Sequence, residues 1–157
     1  MNFEQLLLRY GIYLTTLIVS LVAGVLPIDI MEVFLIWVAA LTPRSQAVPI
    51  LLLATLGQMV GKTIFYFAAA GILKISIKKP SYKIRAVQEK IARSRYGAAF
   101  VIFASAFLGF PPFYWTSVAA GVCRINFPLF LTVGFAGRFL RFGIFVFFPH
   151  LIKGIIH

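Results

Sequence analysis

Residues 47–73 read AVPILLLATLGQMVGKTIFYFAAAGIL, and the one charged side chain among them is Lys62. At about 1.5 Å per residue a helix over this run is roughly 40 Å long, enough to cross a hydrocarbon core of about 30 Å with some tilt. Residues 127–152 form a second long apolar run, with Arg138 and Arg141 embedded in it. The rest of the chain agrees. Of 157 residues, 61% are hydrophobic and 12% charged, against roughly 25% charged in a soluble domain. Mean hydropathy is +0.97. So few polar side chains do not cover the surface of a small soluble protein. The apolar content excludes disorder, and a lone cysteine, Cys123, excludes a disulfide scaffold. The expected class is an all-α integral membrane protein.

Upstream of residues 47–73 lie two shorter apolar runs, 10–26 and 30–41, divided by Pro27 and Asp29 and followed by a turn at Thr42-Pro43-Arg44-Ser45. Downstream, residues 74–95 carry eight Lys/Arg and one acid, Glu89. After Pro80 this segment is predicted to form a short amphipathic helix, with Ile84, Val87 and Ile91 on one stripe. It is either a solvated linker or a helix lying on anionic headgroups. Both readings make it cytoplasmic by the positive-inside rule. A net charge of +11 in a soluble chain would suggest nucleic acid. Here the cations cluster between apolar runs, so membrane lipid is the expected partner and nucleic acid is not. The N-terminus lacks the pattern of a cleavable signal, since Glu4 precedes Arg9 and no small-residue cleavage site follows.

Beyond the linker the first pattern returns. Arg9-Tyr10-Gly11 recurs as Arg95-Tyr96-Gly97, Pro27 as Pro111-Pro112, and Gly61-Lys62 as Gly137-Arg138. Each half then holds a proline-broken pair of short runs, a turn and a long run: repeat 1 over residues 9–73, the linker over 74–95, repeat 2 over 95–152, within one membrane domain over 1–157. A proline break frees backbone groups that need protein or water beside them. Each short pair is therefore expected to be a re-entrant hairpin and each long run a full crossing, which gives two inverted repeats. On that topology the linker and Arg124 lie inside with nine Lys/Arg, while Arg9, Arg44 and Lys153 lie outside. The alternative is that residues 10–26 cross fully.

Five ionisable residues fall in the apolar runs or at their breaks: Asp29, Glu32, Lys62, Arg138 and Arg141. A charge at the bilayer centre costs roughly 2.5–3.5 kcal/mol even on lenient scales. These side chains must face an interior or pair with one another. Asp29 and Glu32 share a face if helical, as do Arg138 and Arg141, and carboxylates of the first half can meet guanidiniums of the second. Three readings remain open: a substrate or proton pathway, structural ion pairs, and snorkelling of Lys62 or Arg141. Gly57, Gly61 and Gly137 are helix-packing candidates, with Gly57-Gln58-Met59-Val60-Gly61 forming GxxxG. Packing within the chain is the simpler use of that motif, and a homo-oligomer is left open. Phe110, Phe113, Tyr114 and Trp115 surround the second break as an interfacial belt or as a wall for a lipid tail. No metal-spaced His or Cys set, P-loop, GxSxG or HExxH occurs, and Ser105 and Ser117 have no histidine partner. No enzyme, metal or cofactor is expected, and an ATP-driven pump is excluded.

These residues resemble the DedA superfamily, also called the VTT or SNARE-associated Golgi protein domain, and most closely its short YqaA-like bacterial branch. The resemblance covers nearly the whole chain. Gly137-Arg138-Phe139-Leu140-Arg141-Phe142 is similar to a G-[KR]-x-L-R-aromatic stretch, and Pro27-Ile28-Asp29-Ile30-Met31-Glu32 to a hairpin tip ending in the family glutamate. Ala120-Gly121 and Cys123-Arg124-Ile125 match before the last helix, and Leu53-Ala54-Thr55-Leu56-Gly57 resembles the small-residue opening of the third. The chain departs from the family at an apolar Val22-Ala23 where transporting members carry a glutamate, at Ile28 in place of a glycine, and at a second hairpin without the arginines of R-F-x-P-x-x-R.

The resemblance implies a multipass protein of the bacterial cytoplasmic membrane that moves a phosphate-bearing lipid, as relatives do with undecaprenyl phosphate or phospholipids. Lys62, Arg138 and Arg141 are then the phosphate-binding candidates, and Asp29 and Glu32 the proton-coupling candidates. The alternatives are a proton-coupled exchanger for a small solute and a non-catalytic assembly or chaperone subunit.

Overall fold

A computed structural model describes residues 3–26, 30–71, 82 and 94–156, with the side chains of 11–26, 30–71, 82 and 94–149 among them. Pro27, Asp29 and the amphipathic helix expected after Pro80 lie outside the described residues. Among the described residues six helices follow in order: α1 Phe3–Val25, α2 Met31–Leu41, α3 Ala47–Ala69, α4 Arg95–Leu108, α5 Phe113–Val122 and α6 Phe127–Ile156. A single 3₁₀ turn, Arg44–Gln46, precedes α3, and no strand occurs among the described residues. Among the described residues two stretches are long and apolar enough to cross a membrane, Arg44–Ala69 and Phe127–Pro149.

The helix ends follow local chemistry. Thr42 closes α2 with both its N–H and its hydroxyl on the Val38 carbonyl, and Pro43 prevents continuation. Pro49 and Pro128 fall in the first turns of α3 and α6, where a helix has no use for their missing N–H groups. Gly71 at φ +80° stops α3 at Ala69, four residues short of the apolar run that predicted it. Ser94 caps α4 by accepting the Gly97 N–H, and Gly109 at φ +79° ends it. A cis Phe110–Pro111 bond and Pro112 lead into α5. The Ser105 hydroxyl donates to the Pro111 carbonyl at 2.6 Å, and the Thr116 hydroxyl donates to Ser105 at 2.7 Å, so buried hydroxyls tie α4 to α5. At the end of α5 the Ile125 N–H reaches back to Ala120 and the Arg124 N–H to Gly121, which places Arg124 at φ +50°.

The first helix is longer than its predicted run. Arg9-Tyr10-Gly11 lies inside α1, whereas Arg95-Tyr96-Gly97 opens α4. Residues 3–9 contain no breaker, so the helix continues through Glu4 and Arg9 to reach 23 residues. It matches α3 in length, while α4 has 14 residues.

The chain divides into two compact units. Unit 1 comprises Met1–Gln58 and Phe139–His157, and unit 2 comprises Met59–Arg138. Unit 1 therefore holds α1, α2, the first part of α3 and the second part of α6. Its core gathers Met31 and Leu35 of α2, Ile50 and Ala54 of α3, Phe142 and Val146 of α6, and Ala23 of α1. Unit 2 holds α4, α5, the second part of α3 and the first part of α6. Its core gathers Ile102 and Ala106 of α4, Phe113 and Ala120 of α5, Met59 and Tyr66 of α3, and Phe130 of α6. Large apolar side chains also face outward at four-residue spacing: Leu14, Ile18 and Val22 on α1, Val48, Leu52 and Leu56 on α3, and Leu140, Ile144 and Phe148 on α6. Ordered apolar stripes of this kind are unusual on a small protein in water.

Candidate functional site

In unit 1 the first turn of α2 presents Glu32, and α6 presents Arg141. A carboxylate in a first helical turn is favoured by the unpaired N–H groups there. Arg141 donates to Glu32 Oε1 from Nε at 2.7 Å and approaches the same oxygen from Nη2 at 2.6 Å. The side chains are 16% and 14% exposed, so the pair is largely removed from solvent and its charge-assisted bonds are strong. Residues 109 positions apart in sequence are joined in this way. Leu35 follows Glu32 by one turn of α2, and Phe142 follows Arg141, both fully buried, so the pair borders the core of the unit.

In unit 2 two cations are deeply buried. Lys62 on α3 is 2% exposed and Arg138 on α6 is 1% exposed. The Arg138 guanidinium lies 5.1 Å from the centroid of the Phe113 ring, and the Lys62 ammonium lies 5.8 Å from that of Phe65. Both distances suit attraction between a cation and the negative face of an aromatic ring. The rings are themselves held: Phe113 stacks on Phe130, and Phe65 meets Tyr114 edge-on. Glycines on α6 make the arrangement possible. A Cβ at Gly134 would come 2.9 Å from the Phe113 ring, and one at Gly137 would come 2.7 Å from Ala106 Cβ of α4. The helix thus approaches α4 closely at the residue before Arg138, which sets that side chain in the interior.

The sequence-derived candidates separate accordingly. Glu32 and Arg141 are brought together. Arg138 and Arg141, three residues apart on one helix, fall in different units. Lys62 and Arg138 fall in the same unit. Gly57 packs on α1, where a Cβ would meet Ser20 Oγ at 1.8 Å, and Gly61 is buried. The aromatic cluster at the second break divides: Phe113 is interior and carries Arg138, while Phe110 is 81% exposed. Sequence reading did not single out Phe113 as a cation partner, although its place directly after Pro112, at the start of a helix, distinguished it from its neighbours. It also passed over Gln58, whose side chain is wholly buried. Among the described residues no group of three His, Cys, Asp or Glu side chains gathers as a metal site would require.

Comparison of the chain with models of known protein families, with curated proteins and with solved structures returns no match.

Proposed function

We propose that the protein is a multipass, non-enzymatic membrane carrier that moves a phosphate-bearing lipid between leaflets, possessing the two inverted repeats and VTT-type architecture its sequence resembles. One observation carries the reading: Lys62 and Arg138 are buried at 2% and 1% exposure on α3 and α6, which are both long and apolar enough to span a bilayer. Intramembrane cations are costly in lipid and are kept where an anionic group passes or binds. Unit 2, which holds both, contains eleven Lys/Arg and one acid, Glu89, a composition that suits an anionic partner. Arg138 offers a planar fork for two phosphate oxygens and Lys62 a point charge.

Lengths and surfaces support the membrane part. The outward apolar stripes on α1, α3 and α6 suit acyl chains. Helices α4 and α5, at 14 and 10 residues, are too short for a hydrocarbon core of about 30 Å, which favours a re-entrant hairpin in the second repeat. The buried hydroxyls around Pro111 supply partners for the broken backbone, as such a hairpin requires. The basic linker rests on the anionic cytoplasmic leaflet of a bacterial cytoplasmic membrane. Glu32, paired with Arg141, is the proton-coupling residue, and its neutralisation would release the arginine for an anionic headgroup.

Reconstitution into vesicles containing fluorescent phospholipid or polyprenyl phosphate tests this directly. Wild-type protein should move lipid between leaflets faster than empty vesicles do, and Arg138→Ala and Glu32→Gln should each abolish the movement. Absence of movement over several lipids rejects the function, and normal rates in both variants reject the site.

A further inference from the structure

Gln58 is 0% exposed, and among the described residues neither its Nε2 nor its Oε1 has a hydrogen-bond partner. It stands on α3 where α1 packs closely. A Cβ at Gly24 of α1 would come 3.0 Å from the Gln58 carbonyl oxygen and 3.1 Å from its Cα. The polar side chains of α1 on this seam are otherwise engaged. Thr16 donates to the Ile12 carbonyl at 2.7 Å, and Ser20 donates to Leu17 at 2.8 Å, with Leu53 at 3.3 Å. Thr55, the turn before Gln58, donates to Leu51 at 2.8 Å. Hydroxyls on this seam are thus satisfied by backbone, and the amide stands out.

A buried amide with both ends unpaired destabilises the fold, and a leucine or methionine of similar volume would carry no such penalty. Residues that break a local rule without structural gain mark functional positions. The chemistry of the amide defines what it would take. Nε2 donates and Oε1 accepts, so full pairing needs a group that accepts and donates together. A hydroxyl does both, whereas a phosphocholine headgroup offers acceptors alone.

We propose that Gln58 is a ligand-contacting residue of the translocation pathway, one that selects lipid headgroups bearing a hydroxyl. The assignment rests on the lipid-transport reading above and extends it from the charge of the headgroup to its neutral part. Lys62 follows Gln58 by one turn of the same helix.

The test uses full-length protein in vesicles of phosphatidylethanolamine and cardiolipin, with trace acyl-labelled phosphatidylglycerol or phosphatidylcholine. Wild type should move the glycerol headgroup about tenfold faster than the choline headgroup, the ratio expected when one buried hydrogen-bonding pair is satisfied or left open. In Gln58→Leu, and in Gln58→Met as a second variant of similar volume, that ratio should fall to about one, while the melting temperature in detergent rises. A ratio retained in both variants overturns the proposal, and with a raised melting temperature it means the amide held only an internal water. A lowered melting temperature in both variants makes the amide structural and overturns it as well. A wild type that moves both headgroups at one rate removes the Gln58 assignment alone. A wild type that moves neither removes the transport reading, and this assignment with it.

Discussion

The two units are built from matching parts and treat charge in opposite ways. Each has a helical hairpin and one portion each of α3 and α6. Unit 1 contains four Lys/Arg (Arg9, Arg44, Arg141, Lys153) and three acids (Glu4, Asp29, Glu32), whereas unit 2 contains eleven Lys/Arg and Glu89. In unit 1 an interior cation meets a carboxylate at 2.6 Å. In unit 2 two cations, more deeply buried, lie beside aromatic faces. An ion pair between fixed side chains is nearly neutral. A cation beside an aromatic ring gains a weaker attraction, which is part of the surroundings of Lys62 and Arg138.

Each unit also contains one of the two tryptophans, Trp37 in unit 1 and Trp115 in unit 2. Replacing either by Phe leaves a fluorescent reporter of the other unit, and the contrast can be tested with these reporters. The largest effect is expected in unit 1. Arg141→Ala leaves Glu32 largely buried without its arginine and should cost about 3 kcal/mol in denaturant unfolding reported by Trp37. The double change Glu32→Leu with Arg141→Met should return to within about 1 kcal/mol of wild type, because removing both charges also removes the desolvation cost. A double variant as unstable as Arg141→Ala would show that the pair holds the unit together by more than charge compensation.

The next effect belongs to unit 2. A Cβ at Gly121 would fall 2.1 Å from the Tyr66 backbone carbonyl, and backbone moves less readily than a side chain. Gly121→Ala should cost about 2–3 kcal/mol, read from Trp115. If Trp37 reports the same shift in midpoint, the units unfold as one. If only Trp115 responds, they are separate cooperative blocks.

The smallest effect has the opposite sign. Arg124 occupies φ +50°, a conformation that suits glycine. Arg124→Gly should relieve strain yet loosen the unfolded chain, for a net gain of about 0.5 kcal/mol in unit 2. A loss of stability would mean that the Arg124 side chain contributes contacts worth more than its backbone strain.

The interruptions of the chain were legible because proline and glycine act locally. Pro43, Pro111-Pro112 and the Arg124-Ile125-Asn126 turn all separate helices where their chemistry says they should. Two boundaries were not. Helix α1 passes through Arg9-Tyr10-Gly11, since two charged residues do not stop a helix whose backbone bonds are continuous. Helix α3 stops at Ala69 although apolar residues continue to Leu73, since the backbone at Gly71 turns left-handed while hydropathy does not change. At the site, Glu32, Lys62, Arg138 and Arg141 were conspicuous as charges in apolar surroundings. That a carboxylate of the first half can meet a guanidinium of the second was readable from the misplaced charges, but which of them would pair, and that Phe113 would stand beside Arg138, was not, because neither spacing nor composition singles out one partner 109 residues away or on another helix.

The amino-acid sequence alone determined the helical, apolar character of this protein, where its chain breaks, and which ionisable groups are out of place in such surroundings. Those properties depend on local backbone freedom and on the transfer energy of each side chain, both set by residue identity. Only the tertiary structure decided how α3 and α6 are shared between two units, that Arg141 meets Glu32, that Phe113 stands beside Arg138, and that the buried Gln58 amide has no hydrogen-bond partner among the described residues. Burial and pairing are properties of what surrounds a residue, and here those surroundings come from distant parts of the chain.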